Sequence, residues 1–399
     1  MALYAMVRSR PSPDDAFEDR MPPNSPFNTH RKDLAALATQ SRRRALAPRA
    51  GRDFASNDYL GLADSDVLRA ALTAGIERGL PAGSGGSRLL RGNHAEHEAL
   101  EVHAARHYGS EAALFFSTGF AANAALFATL PQRGDLVVHD ELIHASAHDG
   151  MRLGRAGHVA AAHNDAQAFE DIIVRWRAGG GAGTPWIAVE SLYSMDGDRA
   201  PLAQLAEVAD RHDAIFIVDE AHATGVFGPG GAGLSHGLTR RDNLVTLHTC
   251  GKALGAEGAL LCAPAIVRDF LVNRARPFIF STAPSPLMAW LVRQAIEIVA
   301  NEPERQARLH ALVRHAAERL VPLGIPASGT QILPVIIGDN DRAMRIARRL
   351  QAAGFDIRGI RPPTVAEGTA RLRIAITLNI DESDIDDMAD ALADAMAAA

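Results

Sequence analysis

Ile215-Phe-Ile-Val-Asp-Glu-Ala-His222, followed by Leu244-Val-Thr-Leu-His-Thr-Cys-Gly-Lys-Ala-Leu-Gly255, decides the reading of this 399-residue chain. Both are apolar runs of strand length that end in polar groups. The first delivers Asp219 at its end; the second is followed by Lys252, set between Gly251 and Gly255. A lysine in that position can hold a carbonyl cofactor as a Schiff base, because desolvation and a neighbouring cation lower its amine toward nucleophilic pKa values. An aspartate at the end of another strand supplies the matching anion. A pyridine ring draws electrons only while its nitrogen is protonated, and a buried carboxylate beside that nitrogen keeps the proton in place. Together the two residues point to pyridoxal 5'-phosphate.

Outward from these runs, Leu114–Phe116, Asp135–Val138, Trp186–Val189 and Ala259–Leu261 repeat the pattern, with helical stretches such as Pro201–Arg211 between them. Short apolar runs alternating with amphipathic ones predict an α/β fold with a mostly parallel central sheet flanked by helices. In such sheets ligands sit beyond the carboxyl ends of the strands, which places Ser117, Glu190, Asp219 and Thr249 where a site forms. A helix over Pro286–Glu302 bridges to a smaller C-terminal α+β unit. That unit is expected to contain strands at Ile332–Ile337 and Leu372–Ala375 and helices around Arg342–Ala353 and Asp384–Ala397. The expected division is an N-terminal arm and helix over 1–55, a large cofactor-binding domain over 56–285, and a small domain over 286–399 that includes the bridging helix.

Lys and Arg total 41 against 47 Asp and Glu, a net charge of −6. No basic excess exists to pair with phosphates, so neither nucleic acid nor an anionic membrane is an expected partner. Cys250 and Cys262 show no metal or disulfide spacing, which fits a reducing cytoplasm. The stretch Met1 to Arg31 mixes arginines, acids and prolines; it reads as a mobile arm, with neither a secretory nor an organellar signal. No run approaches the roughly 18 apolar residues of a membrane helix.

Thr118-Gly-Phe-Ala-Ala-Asn123 follows a strand and opens a helix, whose unpaired first-turn N–H groups can take an anion while Gly119 lets the backbone come close. The same pattern also makes a plain helix cap. Gly83-Ser-Gly-Gly-Ser-Arg88 lacks the strand context of a dinucleotide loop; it is either a flexible loop or a loop lining the site. His144 lies just beyond the Asp135–Val138 run, as a helix-start residue or as a ring that stacks on a planar cofactor. Ser191-Leu-Tyr-Ser-Met-Asp-Gly-Asp198 is a strand-exit loop from which Ser194 can reach a cofactor, although Asp196-Gly-Asp198 equally makes a turn. His94 and His97 have metal-compatible spacing, but a solvated charged face among Glu96, Glu98 and Glu101 is the expected reading, with no metal. Gly179-Gly-Gly-Ala-Gly183 reads as a surface loop.

From about Ser56 onward the chain resembles the α-oxoamine synthases, a fold-type-I family of pyridoxal-phosphate-dependent transferases. Six segments carry the resemblance in the family's order: Asn57-Asp-Tyr-Leu-Gly61, Gly83-Ser-Gly-Gly-Ser87, Ser117-Thr-Gly-Phe-Ala-Ala-Asn123, Ser194-Met-Asp-Gly-Asp198, Asp219-Glu-Ala-His222 and Thr249-Cys-Gly-Lys252. The tail Arg361-Pro-Pro-Thr-Val-Ala-Glu-Gly-Thr-Ala-Arg-Leu-Arg373 is most similar to the biotin-pathway branch. The resemblance implies decarboxylative condensation of L-alanine with a pimeloyl thioester, on coenzyme A or acyl carrier protein. Glycine-using and serine-using branches are the alternatives, and a noncatalytic cofactor-binding regulator is a more distant one.

By motif position the resemblance implies that Lys252 binds the cofactor covalently, Asp219 pairs with its ring nitrogen, His222 approaches its ring hydroxyl and His144 stacks on it. Gly119 and Phe120 would hold the phosphate, with Ser194 and Thr249 nearby. Ser281 and Thr282 would reach it from a neighbouring subunit, which implies a homodimer with shared active sites. Asn57 would order the site and Arg373 would hold the amino-acid carboxylate. Arg42, the choice among the three arginines of Ser41-Arg-Arg-Arg44, would serve the acyl substrate together with Thr364 and Arg361. Glu220 and Ala223 stand where other members have aspartate and glycine, a departure that removes no required group.

Overall fold

The computed structural model describes residues 25–239 and 241–399. The first described helix, Asn28–Thr39, already includes the last residues of the stretch expected to be a mobile arm. The rest of that expectation, and the one about signals, falls on residues 1–24, outside the described residues.

Twelve strands are described. A two-residue β1 (Arg52–Asp53) precedes the main sheet, which is built from β2 (Ala112–Phe116), β3 (Leu136–Asp140), β4 (Gly157–Ala161), β5 (Pro185–Glu190), β6 (Ile215–Asp219), β7 (Leu244–Thr249) and β8 (Ala259–Ala263). Their spatial order is β2-β8-β7-β6-β5-β3-β4. β3 to β7 run parallel, and β8 is antiparallel to both β2 and β7. The apolar runs of β2, β3 and β5 are buried along their whole length, as sheets covered by helices on both faces require. Fully burying a side chain such as Phe216 is worth about 1.5–3 kcal/mol, and Phe216 is wholly buried in the layer over β3, β5 and β6. β4 is the exception: four of its five residues are exposed on the sheet edge, so it carries no apolar run and the sequence reading passed over it.

The small sheet is β9 (Ile332–Gly338), β11 (Arg358–Ile360) and β12 (Ala370–Ala375), antiparallel in the order β11-β12-β9. β10 (Phe355–Asp356) pairs with β1. The helices Asn340–Ala352 and Glu382–Ala397 cover this unit. Helix Pro286–Asn301, capped by Ser285, packs on Asp66–Glu77 and Ala95–Tyr108. It leads into Pro303–Leu320, which packs on Glu382–Ala397. A continuous buried cluster runs from Phe54, Tyr59 and Leu60 through Ala289 and Val292 to Ile374 and Leu392, so the two sheets share one core. Among the described residues no helix is long and apolar enough to cross a membrane.

Helix Ala95–Tyr108 bears out the expectation of a solvated charged face at Glu98, which is exposed, and overturns it at Glu96 and Glu101. His97 and Glu96 are buried. Nε2 of His97 bonds the Pro284 carbonyl at 2.8 Å; Glu96 accepts from Arg78 and Arg293, and Glu101 is gripped by Arg88 through both oxygens. Partners drawn from the chain about 10–200 positions away satisfy these charges, and buried charge is tolerated only when paired in this way. His94 caps the helix by accepting from the Glu96 N–H. The Gly83–Ser87 loop is tied down as well, with Ser84 Oγ donating to the Ala283 carbonyl at 2.7 Å and the Ala283 N–H donating to Gly86 O at 2.9 Å.

Candidate active site

A cavity of about 430 Å³ opens at the carboxyl ends of β5, β6 and β7, and Gly119, Phe120, His144, Asp219, His222, Thr249 and Lys252 all line it. Each arrives there for a local reason. Asp219 is the last residue of β6 and His222 lies three residues beyond. Thr249 ends β7, and the turn that follows carries Lys252. That turn closes at Gly255, whose φ is +64°; a Cβ there would lie 2.5 Å from the Ala63 N, so only glycine fits. Gly119 opens helix Gly119–Thr129, with the Thr118 side chain capping it at the Ala121 N–H. His144 is the N-cap of helix Ala145–Leu153, its ring accepting from the Ser146 N–H.

Two chains of hydrogen bonds converge on the cavity. In the first, Arg373 on β12 donates from Nη2 to Asn57 Oδ1 (3.0 Å) and to the Tyr59 hydroxyl (3.1 Å). The Tyr59 hydroxyl lies 2.7 Å from His222 Nδ1 and 3.0 Å from Asn57 Oδ1, and His222 Nε2 lies 2.8 Å from the Lys252 amine. In the second, His144 Nδ1 lies 2.8 Å from Ser146 Oγ, which accepts from Asn123 Nδ2 at 3.0 Å. Asn123 Nδ2 also donates to Asp219 Oδ2 at 2.8 Å. The other Asp219 oxygen accepts from the Ala221 N–H at 2.9 Å. Tyr59, Asn123 and Ser146 were not singled out in the sequence, although Tyr59 and Asn123 stand inside quoted motifs.

Burial, with the Lys252 and Arg373 charges, pushes His222 well below the usual histidine range, so its ring is neutral. Burial likewise lowers His144. Burial pulls Lys252 down to about 8, against the pull of Asp219 and Glu190 and with help from Arg373. An amine lowered this far is a nucleophile and a proton acceptor near neutral pH.

The remaining expected residues lie outside the cavity wall. The Ser194 carbonyl accepts from Arg373 Nε at 2.6 Å. Arg42 pairs with Glu367, and Arg44 is the arginine that reaches Thr364, at 2.9 Å. Arg361 is buried with its guanidinium against the Met344 sulfur. Ser281 and Thr282 line a small separate cleft with Arg88 and Phe278; Ser117 lines both this cleft and the main cavity.

The donor set fits pyridoxal phosphate. The N–H groups of Gly119 and Phe120 are first-turn amides with no helical carbonyl above them, and such amides take a phosphate. A Cβ on Gly119 would lie 2.7 Å from Thr249 Cγ2, so glycine is what lets the start of this helix come so close to Thr249. Lys252 and Asp219 occupy the same cavity, the first as the amine for an aldehyde and the second as the carboxylate for a ring nitrogen.

Comparison with known proteins places the chain in context. The family model of class I and II aminotransferases matches residues 51–392. An 8-amino-7-oxononanoate synthase of Anaeromyxobacter dehalogenans is 42% identical over 377 residues, covering 90% of this chain and 94% of its own length. One from Chromobacterium violaceum is 43% identical, covering 84% and 87%. Among solved structures, the serine palmitoyltransferase of S. paucimobilis with a bound pyridoxal phosphate–myriocin aldimine superposes with a TM-score of 0.85 at 25% identity, covering 93% and 98% of the two chains. The 8-amino-7-oxononanoate synthase of Francisella tularensis superposes at 0.73 and 25%, covering 86% and 97%.

Proposed function

The chain belongs to the class I and II aminotransferase family and groups with its 8-amino-7-oxononanoate synthases, and on that premise we propose that it condenses L-alanine with a pimeloyl thioester. The products are 8-amino-7-oxononanoate, carbon dioxide and the free thiol carrier, which is coenzyme A or acyl carrier protein. It is a pyridoxal-phosphate-dependent acyltransferase of biotin biosynthesis. The observation that carries the reading is the Lys252 amine, 2.8 Å from a neutral His222, in one cavity with Asp219. The serine-using reading draws on the closer fold superposition with serine palmitoyltransferase. Identity above 40% along most of the chain favours the alanine-using branch.

Bound pyridoxal phosphate supplies an electron sink for charge developing at the α-carbon of alanine. Asp219, oriented by Asn123 and the Ala221 N–H, would hold the proton on the ring nitrogen. Lys252, whose amine loses its proton around pH 8, would take the α-proton and later return one. His222 accepts from or donates to that amine and is held in place by Tyr59. Arg373 presents a planar fork that pairs bidentately with the alanine carboxylate, exchanging its bonds to Asn57 and Tyr59. The Gly119 and Phe120 amides, with Thr249 and Ser194, would bind the phosphate; His144 would cover the ring; Arg42, Thr364 and Arg361 would serve the acyl substrate.

In this reading Ser281 and Thr282 complete the phosphate site of a second copy, giving a homodimer with shared active sites. Phe120 and Phe280, both exposed large apolar side chains beside these segments, suit a face that a second copy covers. The division into an arm with one helix over 1–55, a cofactor-binding domain over 56–285 and a small domain over 286–399 belongs to the same reading. So does a cytoplasmic location, in keeping with two buried free cysteines.

Reducing the cofactor-loaded protein with borohydride and mapping the modified peptide tests the reading. A pyridoxyl group on Lys252 is the expected result; attachment to another lysine, or to none, would overturn it.

A further inference from the structure

Glu190 is the buried carboxyl that the reaction above leaves unused. It ends β5 in register with Asp219 at the end of β6, and neighbours in register on adjacent strands present side chains to the same face. Glu190 is 2% exposed, lines the cavity with Lys252, and has an Oε1 with no hydrogen-bond partner. Glu220, the residue after Asp219, shows what a structural buried carboxylate looks like here: it accepts from Ser191 Oγ (2.7 Å), the Ser235 N–H (2.5 Å) and the Leu234 N–H (3.1 Å). A buried carboxylate oxygen without a donor is costly in its charged form. Its remedies are a proton of its own or an ammonium facing it.

The structure holds both remedies in one place. Burial and the like charge of Asp219 push Glu190 up to about 8, with Asp140 adding to the rise and Lys252 and the Ser194 amide opposing it. Burial holds Lys252 at about 8 against the charges of Asp219 and Glu190 and with that of Arg373, in the same cavity as Glu190, with His222 and His144 also within reach of its charge. Two groups that titrate in one window and feel each other give up protons as a pair.

We propose that Glu190 is a positioning residue of this site, a carboxyl that trades one proton with the Lys252 amine so that the amine is uncharged while Glu190 holds the proton. The exchange forms no new bond beyond N–H and O–H: the carboxylate takes the proton the ammonium gives up, and the pair keeps its net charge. It rests on the reading of Lys252 as the cofactor-binding amine.

Two measurements on the full-length protein freed of cofactor test it. Infrared difference spectra across the pH range should show a protonated carboxyl band that disappears with a midpoint near 8, is missing in Glu190→Gln, and persists about one unit higher in Lys252→Ala, where no ammonium favours the carboxylate. Stopped-flow attachment of pyridoxal phosphate should speed up through a midpoint that moves down by about one unit in Glu190→Gln, since a carboxylate favouring the ammonium is gone. No such band in the wild type, or one whose midpoint is unmoved by Lys252→Ala, overturns the proposal even if the Glu190 variant fails to fold. The infrared arm needs no cofactor, so a wild-type protein that binds none counts against the Lys252 assignment and leaves Glu190 to be judged by its band.

Discussion

The Tyr59 hydroxyl lies 2.7 Å from Nδ1 of His222, a ring whose Nε2 is 2.8 Å from the Lys252 amine. Tyr59 is wholly buried, so its oxygen is fixed by packing and fixes His222 in turn. A histidine that must present one nitrogen to a lysine depends on what its other nitrogen bonds. The relationship ties Asn57-Asp-Tyr, at the start of the large unit, to Arg373 of the small sheet through one hydroxyl.

Tyr59→Phe keeps the ring and deletes that hydroxyl. The expected outcome is a fall of roughly 10–100-fold in kcat/KM, the scale seen when a group that orients an active-site residue is lost. Thermal stability should drop only by about 1 kcal/mol. Steady-state kinetics beside a melting curve separate the two effects, and a variant with wild-type kcat/KM would remove Tyr59 from the account.

Gly119→Ala puts a methyl 2.7 Å from Thr249 Cγ2, at the start of the helix whose first amides are assigned to the phosphate. Overpacking of this kind costs about 1–3 kcal/mol, so the cofactor dissociation constant should rise about 10- to 100-fold by absorbance titration. Unchanged affinity would place the phosphate elsewhere.

Arg373→Lys retains the charge and loses the fork that grips Asn57, Tyr59 and the Ser194 carbonyl. A rise in KM for alanine of about tenfold or more is expected, with little change in KM for the thioester. A rise in the thioester KM alone would reassign the arginine to the acyl substrate.

His163 sets a pH-dependent contribution to stability. Although burial opposes it, hydrogen bonds from its two nitrogens to Asp140 (2.9 Å) and Asp198 (2.7 Å) raise it to about 10. A histidine raised above its unfolded value of about 6.5 contributes fully below that value and loses the contribution as pH climbs through the folded value. His163→Gln should therefore cost roughly 2–3 kcal/mol at about pH 6 and almost nothing above about pH 10. Denaturant melts at both pH values read this directly; an equal cost at both would show that the histidine is not charged in the fold.

Legibility in the sequence followed the physics of burial. β2, β3, β5, β6, β7 and β8 were readable because strands covered on both faces become unbroken apolar runs, and the motif residues at their ends duly line one cavity. The edge strand β4 has exposed positions and no such run. That β8 runs antiparallel to β2 and β7 depends on chain path, on which composition is silent. Helix Ala95–Tyr108 was read as solvated because its acids and histidines look polar in isolation; Arg78, Arg88 and Arg293, which bury them, come from three other segments. Asn123, Ser146 and Tyr59 escape for the same reason, since a hydrogen-bond chain between residues up to 316 positions apart leaves no local pattern. That Arg44 is the one of three adjacent arginines to reach Thr364 turns on which side chain faces the small sheet.

The central claim is the amino-acid and acyl specificity of the Lys252 site. Release of free thiol from pimeloyl-CoA by the purified, cofactor-loaded protein, compared with alanine, glycine and serine at equal concentration, tests it most directly. Release should depend on alanine and exceed that with glycine or serine by about tenfold or more, the range a single methyl or hydroxyl difference supports in a shaped pocket. Faster release with serine or glycine than with alanine would contradict it.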